Sequence, residues 1–233
     1  MLKILIFTSL FLSSTLATLG IDLSIYEGSP DQNAFDCFKR TLHDIMIIQI
    51  WRGKTGINPH FTSNWQKSKA AGIQSVDAYA HFCNNCEGNT PVNICNSIKK
   101  NLPSGFDGML WFDIEEFSDC KDCWKGTPIQ RLNFIEAVAA TCFALGFKLG
   151  IYSGHGSWEN VFGSASFDAG PLKALPLWYA HYDKTPNFKD WETVKFGGWS
   201  APIMKQYEGD KLFCGVNSDL NIKIEQKESF IRV

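Results

Sequence analysis

Two acidic residues near the middle of the chain have a spacing that suits cleavage of a glycosidic bond. In the segment Met109–Glu115, apolar residues alternate with a second set that ends in Asp113 and Glu115. Since alternate residues of a strand face the same side, both carboxyls should project from one face, with Cα atoms roughly 7 Å apart. Two acids that converge beside aromatic residues cannot both ionise cheaply, so one should keep its proton near neutral pH and act as a general acid. Hydrolysis of a glycosidic bond uses this arrangement.

The pattern by itself is not specific to enzymes, because acids at strand ends also cap helices or pair with surface lysines. A third acid, Asp22, lies on the polar face of the segment Leu19–Ile25, together with Gly20 and Ser24. A strand with such a face should turn it toward the interior or the mouth of a barrel. Asp22 is therefore a further candidate for the same site.

The elements that would position these acids are eight strand candidates separated by helical segments. The strands are predicted at Leu19–Ile25, Ile45–Trp51, Ser75–Phe82, Gly108–Ile114, Lys148–Tyr152, Leu175–Ala180, Pro202–Gln206 and Val216–Ile222. The helices are predicted at Asn58–Ala71, Pro91–Asn101 and Pro128–Leu145, and the helical signals between the last three strands are short and weak. This alternation predicts an α/β fold, a TIM-like parallel barrel whose last helices are reduced or missing. Barrel enzymes place their chemistry at the carboxyl ends of the strands, where Asp113 and Glu115 would lie.

The N-terminal segment Met1–Ala17 is predicted to be a secretory signal peptide. Lys3 precedes the apolar run Ile4–Leu12, and small residues lead to a cleavage site after Ala17. The apolar run is shorter than the roughly 20 residues that cross a bilayer, and no later stretch replaces it, so no membrane span is expected. Residues 18–233 contain no linker, charge block or repeat, which predicts a single catalytic domain.

Composition excludes several classes of function. The chain of 233 residues is 45% hydrophobic and 20% charged, which is typical of a globular protein rather than a disordered one. Its 22 Lys plus Arg stand against 24 Asp plus Glu, so it lacks the basic surface that nucleic-acid binding requires.

The eight cysteines have two interpretations. They are Cys37, Cys83, Cys86, Cys95, Cys120, Cys123, Cys142 and Cys214. Secretion favours disulfides, whose pairing the sequence leaves open. The alternative is a zinc site, because Cys83 and Cys86, like Cys120 and Cys123, have the two-residue gap of thiolate ligands. The two pairs are farther apart than the usual ~15–20 residues, so disulfides are preferred and no metal is predicted.

Six short motifs are spread over nearly the whole chain. They are Gly20–Ser24, Asp113–Glu115, Leu149–Ser153, Leu177–Tyr182, Lys205–Tyr207 and Asp219–Asn221. In this order they resemble the lysozymes, or N-acetylmuramidases, of glycoside hydrolase family 25. The eight cysteines fit a secreted eukaryotic branch of that family better than its bacterial members. The resemblance implies a barrel of eight strands with about five helices.

The same resemblance implies roles for individual residues. Glu115 would be the general acid, and Asp113 would stabilise positive charge on the sugar or orient the substrate's N-acetyl group for attack on its own anomeric carbon. Asp22 and Asp219 would be the other catalytic acids and would hold substrate or water. The implied substrate-binding residues are Tyr79, Tyr152, Trp178, Gln206 and Tyr207. Strand geometry leaves the retaining and inverting routes open, whereas the resemblance favours the acetamido route with net retention.

The sequence departs from the family pattern after the second strand. A lysine and a Thr-Glu-Gly-like turn are usual there, whereas this chain has Gln49–Gly53. A chitinase-like hydrolase of N-acetylglucosamine polymers is a further alternative, but its strand motif needs an acid where Trp111 stands, and Asp107 is out of register. A glycan-binding barrel without turnover is the other alternative.

The sequence therefore predicts a lysozyme that cuts the β-1,4 bond between N-acetylmuramic acid and N-acetylglucosamine in bacterial peptidoglycan. No cofactor is expected, and the glycan strand is the expected partner of a monomer. The expected location is outside the cell or in a lysosome-like or phagosomal vacuole.

Overall fold

The computed structural model describes residues 17–117 and 120–224, and within these ranges nine strands form one sheet. They are β1 Ala17–Leu23, β2 His43–Arg52, β3 Gly56–Ile57, β4 Ser75–His81, β5 Met109–Asp113, β6 Lys148–Gly154, β7 Leu177–Ala180, β8 Met204–Phe213 and β9 Val216–Ile224. The strand order is β1-β9-β8-β7-β6-β5-β4-β2-β3, and β1 also pairs with β2. The sheet therefore closes into a barrel of eight strands, with the short β3 paired to β2 outside the ring. The predicted signal peptide lies outside the described residues except for Ala17, which begins β1.

The barrel confirms the predicted fold class, but the expectation of a wholly parallel sheet is wrong. Strand β9 runs antiparallel to both of its neighbours, β8 and β1. The reason is the two-residue connection Cys214-Gly215, in which both residues have positive φ, 53° and 77°. Such a turn joins antiparallel strands, whereas a parallel connection needs a crossover of a dozen or more residues.

Six α-helices lie in the described part of the chain. They are α1 Gln32–Arg40, α2 Phe61–Ala70, α3 Pro91–Asn101, α4 Pro128–Ala144, α5 His155–Phe162 and α6 Trp191–Val194. Five have eight or more residues, and the connection between β7 and β8 retains only the four-residue α6, in agreement with the reduced helices expected there. The helix α4 begins as predicted, with Thr127 as a capping-box residue and Pro128 in the first turn.

The helix predicted at Asn58–Ala71, which is α2 in the structure, begins three residues later than expected. Asn58 forms a turn instead, because its Nδ2 donates to Gln49 O at 2.8 Å and its Oδ1 accepts from His60 N at 2.9 Å. An asparagine that bonds local backbone in this way favours a turn over a helix.

Two apolar layers position the site. Leu110, Phe112 and Ile114 belong to the outer core between barrel and helices, as the alternation predicts. The barrel interior is filled by a separate cluster that comprises Ile45, Ile47, Tyr79, Trp111, Tyr152, Trp178 and Met204. The interior is thus a packed floor beneath the carboxyl ends of the parallel strands.

Four disulfides use all eight cysteines, each of which lies in the described ranges. They are Cys37–Cys214, Cys83–Cys86, Cys95–Cys142 and Cys120–Cys123. The first connects α1 to the β8–β9 turn, and Cys95–Cys142 connects α3 to α4. Of the helices described, none is both long and apolar enough to cross a bilayer.

Candidate active site

A cavity of about 490 Å³ opens at the carboxyl ends of the parallel strands. Eight of the nine residues predicted for the site line it: Asp22, Tyr79, Asp113, Glu115, Tyr152, Trp178, Gln206 and Asp219. Tyr207 does not, because it follows Gln206 directly in β8 and its side chain turns to the outer core. Since neighbours in a strand face opposite sides, only one of these two residues can reach the cavity.

The pair Asp113 and Glu115 lies at the end of β5. Asp113 is the last residue of the strand and only 2% exposed, and its Oδ1 has no hydrogen-bond partner among the described residues. Glu115 lies two residues beyond, where Ser157 Oγ approaches its Oε2 at 3.4 Å. The main-chain oxygen of Glu115 accepts a hydrogen bond from Trp124 Nε1 at 2.9 Å and lies 3.2 Å from His81 Nε2. These contacts fix the loop that presents the Glu115 carboxyl.

Both carboxyls of the pair favour their protonated forms. Burial raises the pKa of Glu115 from 4.5 to about 7. Burial, followed by the negative charge of Glu115, raises the pKa of Asp113 well above its ordinary value. Each carboxyl affects the ionisation of the other, so the titration belongs to the pair. At neutral pH the pair therefore retains at least one proton, which is the condition for general acid catalysis.

The other two acids are cross-strand neighbours. Asp22 of β1 pairs directly with Asp219 of β9, because β9 runs antiparallel and its first residues lie at the carboxyl end of the barrel. Gln206 Nε2 donates to Asp22 Oδ2 at 2.9 Å and to Asp219 Oδ2 at 3.0 Å, and Asn221 Nδ2 donates to Asp22 Oδ2 at 2.7 Å. Burial and the charge of Asp219 raise the pKa of Asp22 well above its usual value, and burial raises the pKa of Asp219 to about 6.

Gln206 links these acids to two tyrosines. Its Oε1 accepts hydrogen bonds from Tyr152 OH at 2.6 Å and from Tyr182 OH at 2.8 Å. With its amide donating to both carboxylates, every polar atom of this buried side chain has a partner. The side chain thereby sets the spacing between the tyrosines and the acids across the cavity.

Replacing Gln206 by leucine should destabilise the fold by about 2–4 kcal/mol, because several buried donors and acceptors would lose their partner at about 1–3 kcal/mol each. Chemical denaturation would measure the free energy of unfolding. Gln74→Leu is the matched control, since Gln74 is exposed and its change should stay within about 0.5 kcal/mol. Equal stability of the two variants would contradict the linking role of Gln206.

The three predicted substrate-binding aromatic residues that line the cavity are more deeply buried than side chains that stack on sugars usually are. Trp178, Tyr152 and Tyr79 are 2%, 6% and 8% exposed, and the Tyr152 and Trp178 rings pack with centroids 4.3 Å apart. Trp178 Nε1 also donates to Asn221 Oδ1 at 2.9 Å. These rings belong to the barrel interior and expose little of their surface to the cavity.

Two exposed tyrosines at the rim were not selected from the sequence. Tyr26 and Tyr182, which are 71% and 56% exposed, both line the cavity. Tyr182 is the last residue of the motif Leu177–Tyr182, and Tyr26 lies two residues after the motif Gly20–Ser24. Closeness to a motif is the sequence feature that could have identified them. Exposed rings beside an acidic groove are the better candidates for stacking on sugars.

The segment Gln49–Gly53, whose sequence departs from the family pattern, lies mostly within the end of β2 and also contributes to the site. Gln49 Oε1 accepts from Ile25 N at 3.0 Å, and Arg52 lies with its guanidinium 4.7 Å from the centre of the Tyr26 ring. Both side chains line the cavity. The charge of Arg52 lowers the pKa of Asp113, against the larger raising effects of burial and of Glu115.

Metal-ligating residue types come together twice in the described part of the chain. His181, Asp183 and Asp190 form one group, but their carboxylates already pair with the buried Lys205 at 2.7 and 2.9 Å. The other group is formed by Cys83, Cys86, Cys120 and Cys123, outside the acidic cavity.

Several known proteins are similar to this chain. The family model for lysozyme-like protein 1 matches residues 14–207. The Dictyostelium discoideum protein named probable GH family 25 lysozyme 3 is 36% identical over 220 residues, which are 94% of this chain but 44% of that protein. Probable GH family 25 lysozyme 5 of the same organism is 32% identical over 93% of this chain and 94% of its own length. The chain thus spans less than half the length of the first of these relatives.

The fold has close counterparts among solved structures. A bacterial lysozyme from Streptomyces coelicolor superimposes with a TM-score of 0.71 over 92% of this chain and 95% of its own. The two sequences are 20% identical, so the likeness is one of fold.

Proposed function

The chain belongs to the lysozymes of glycoside hydrolase family 25, and we propose that it hydrolyses the β-1,4 bond between N-acetylmuramic acid and N-acetylglucosamine in bacterial peptidoglycan. The observation that supports this most directly is the Asp113–Glu115 pair at the mouth of the barrel, in which Asp113 is buried and the pKa of Glu115 is raised to about 7. A protonated carboxyl beside a second carboxyl is the arrangement that glycoside hydrolysis requires.

In the proposed reaction, Glu115 donates its proton to the glycosidic oxygen as the bond to the anomeric carbon breaks. Asp113 holds the acetamido group of the same sugar, so that its carbonyl oxygen bonds to the anomeric carbon from the opposite face. Water then attacks that carbon, the bond between the acetamido oxygen and the anomeric carbon breaks, and the water gives a proton to Glu115, which restores the acid and yields net retention. Asp22 and Asp219 position the sugar or the water through their contacts with Gln206.

The proposed partner is the glycan strand of peptidoglycan, bound by a monomer without a cofactor. The four disulfides support a chain that folds in an oxidising compartment. Secretion, or delivery to a lysosome-like or phagosomal vacuole after removal of residues 1–17, is part of the same proposal.

Mass spectrometry of muropeptides released from purified sacculi tests the proposal. The expected products have reducing N-acetylmuramic acid ends. Reducing N-acetylglucosamine ends would identify a different bond and contradict the assignment. Binding to sacculi without any release, under conditions in which a reference lysozyme cuts them, would instead favour a glycan-binding barrel.

Activity should fall as the pH rises above about 7. Burial raises the pKa of Glu115 to about 7, and the protonated fraction that can serve as acid then declines about tenfold for each further pH unit. A net charge of −2 also gives the protein little attraction to anionic cell walls at neutral pH. Initial rates on sacculi across the pH range would measure this, and a maximum well above pH 7 would contradict the assignment of Glu115.

A further inference from the structure

Four sulfur atoms meet where the loops after β4 and β5 touch. The Sγ atoms of Cys83, Cys86, Cys120 and Cys123 all lie within 4.8 Å of one another, and only Cys86 is not fully buried. In the structure they form two disulfides, each between residues three positions apart. Neither disulfide connects one loop to the other.

The loops are nevertheless held face to face by hydrogen bonds that do not involve sulfur. Asn84 Nδ2 donates to Lys125 O at 2.9 Å, and Lys125 N donates back to Asn84 Oδ1 at 2.7 Å. Asn85 Nδ2 donates to Asp122 O at 2.9 Å, and Asn85 N donates to Cys123 O at 3.3 Å. These hydrogen bonds hold the two loops, and with them the four cysteines, together without a covalent link between the loops.

This geometry suits one tetrahedral metal ion. Two Cys-x2-Cys pairs are the usual ligand set of structural zinc, with Zn–S distances of about 2.3 Å and hence sulfurs about 3.8 Å apart. A disulfide that closes a loop of three residues restricts the unfolded chain less than one that closes a long loop. A metal bound to all four sulfurs would join the two loops, which the two disulfides do not.

We propose that these four cysteines, when reduced, bind one Zn²⁺ as a tetrathiolate site. Each disulfide accepts two electrons and two protons from a dithiol reductant, which becomes a disulfide itself, and Zn²⁺ then displaces four protons from the four thiols. A newly synthesised chain has thiols already, so zinc that binds before oxidation requires no reductant.

The site would also support the catalytic loop. Trp124 follows Cys123 directly, and its Nε1 donates to the main-chain oxygen of Glu115 at 2.9 Å. On the other side, Cys83 follows β4 by two residues. Zinc would thus connect the end of β4 to the segment that positions the proposed acid.

The test uses the full chain, which is first reduced with a dithiol under native conditions. The reductant is then removed in the absence of oxygen, and the protein is titrated with Co²⁺. Alkylation and peptide mapping would establish which cysteines are reduced. We expect one Co²⁺ per chain with the visible and near-ultraviolet bands of tetrahedral thiolate coordination, lost when Zn²⁺ displaces it. X-ray absorption of the zinc form should give four sulfurs at about 2.3 Å. A wild-type chain with all four thiols free that takes up no Co²⁺ would overturn the proposal.

Two double variants locate the site. Cys86→Ser with Cys123→Ser removes one ligand from each pair and should lower Co²⁺ affinity by more than about 100-fold, since even changes outside the ligand set reach that size. Cys37→Ser with Cys214→Ser removes a disulfide elsewhere and should leave affinity unchanged. Equal affinity of the ligand variant and wild type would refute the assignment. If that variant does not fold, the reduced wild type is alkylated with and without Zn²⁺. Zn²⁺ should protect the four cysteines from alkylation, and a lack of protection would also refute the assignment.

Discussion

Glu115→Gln should lower kcat on peptidoglycan by about 10³-fold while changing glycan affinity only slightly. The amide keeps the size of the carboxyl and its place beside Ser157 but has no acidic proton to give to the leaving oxygen. Muropeptide release from sacculi would measure kcat, and cosedimentation with sacculi would measure binding.

The matched control is Glu116→Gln, which makes the same chemical change one residue away. Glu116 is exposed and does not line the cavity, so its variant should retain full activity. Comparable rates for both variants and wild type would remove Glu115 from the mechanism. Loss of activity in both would point to the loop rather than to the carboxyl.

Glu115→Gln should also stabilise the protein at alkaline pH. The pKa of Glu115 is about 7 in the folded chain against 4.5 ordinarily, so between these values the folded state binds more protons than the unfolded state. Stability therefore decreases as the pH rises through this window, and at pH 8 the ionised carboxyl costs at most about 3 kcal/mol. Glu115→Gln should melt at a higher temperature than wild type at pH 8 and at nearly the same temperature at pH 4.

Asp113→Asn should lower kcat by about 10²–10³-fold, because the acetamido group would lose the carboxylate that orients it and balances its developing charge. Orientation of the acetamido group by Asp113 can be distinguished from a general electrostatic effect of its carboxyl by using peptidoglycan from which the N-acetyl groups have been removed. Wild type should be slow on that substrate, and the further loss caused by the substitution should be much smaller there. Product analysis on both substrates provides the rates.

Asp107→Asn is the control for this prediction. Asp107 lies before the opposite end of β5 and is exposed, so its variant should behave as wild type on both substrates. An equal loss for Asp113→Asn on both substrates would show that the residue acts without the acetamido group.

The sequence predicts the barrel well because its strands alternate in hydrophobicity, and alternation assigns faces. The alternation is the same whichever way a strand runs, so it did not indicate that β9 is antiparallel to its neighbours. The predicted end of β8 at Gln206, rather than Phe213, hid the two-residue turn that would have revealed it. Residues placed by alternation within strands, such as Asp22, do reach the cavity.

Residues in connecting segments were harder to place. Tyr26 lies in the short 3-10 helix Ile25–Glu27 and Tyr182 in irregular backbone, where no strand period assigns a side, and their position depends on contacts such as that of Tyr182 with Gln206. For these two residues the tertiary environment decides what the local pattern does not. The helix α1 was also missed, although its sequence carries helical signals: Asp31 caps it, and its apolar residues form one buried face.

The hydrogen bond from Asn221 to Asp22 has a consequence for biosynthesis. Its two residues are 199 positions apart, so a ribosome must synthesise the chain at least as far as residue 221 before they can meet. A nascent polypeptide that lacks β9 would contain Asp113 and Glu115 but neither Asp219 nor the pairing of β9 with β1 that closes the barrel. Hydrolytic competence should therefore arise only after translation has passed residue 221, which would keep the proposed lysozyme inert until β9 has been made.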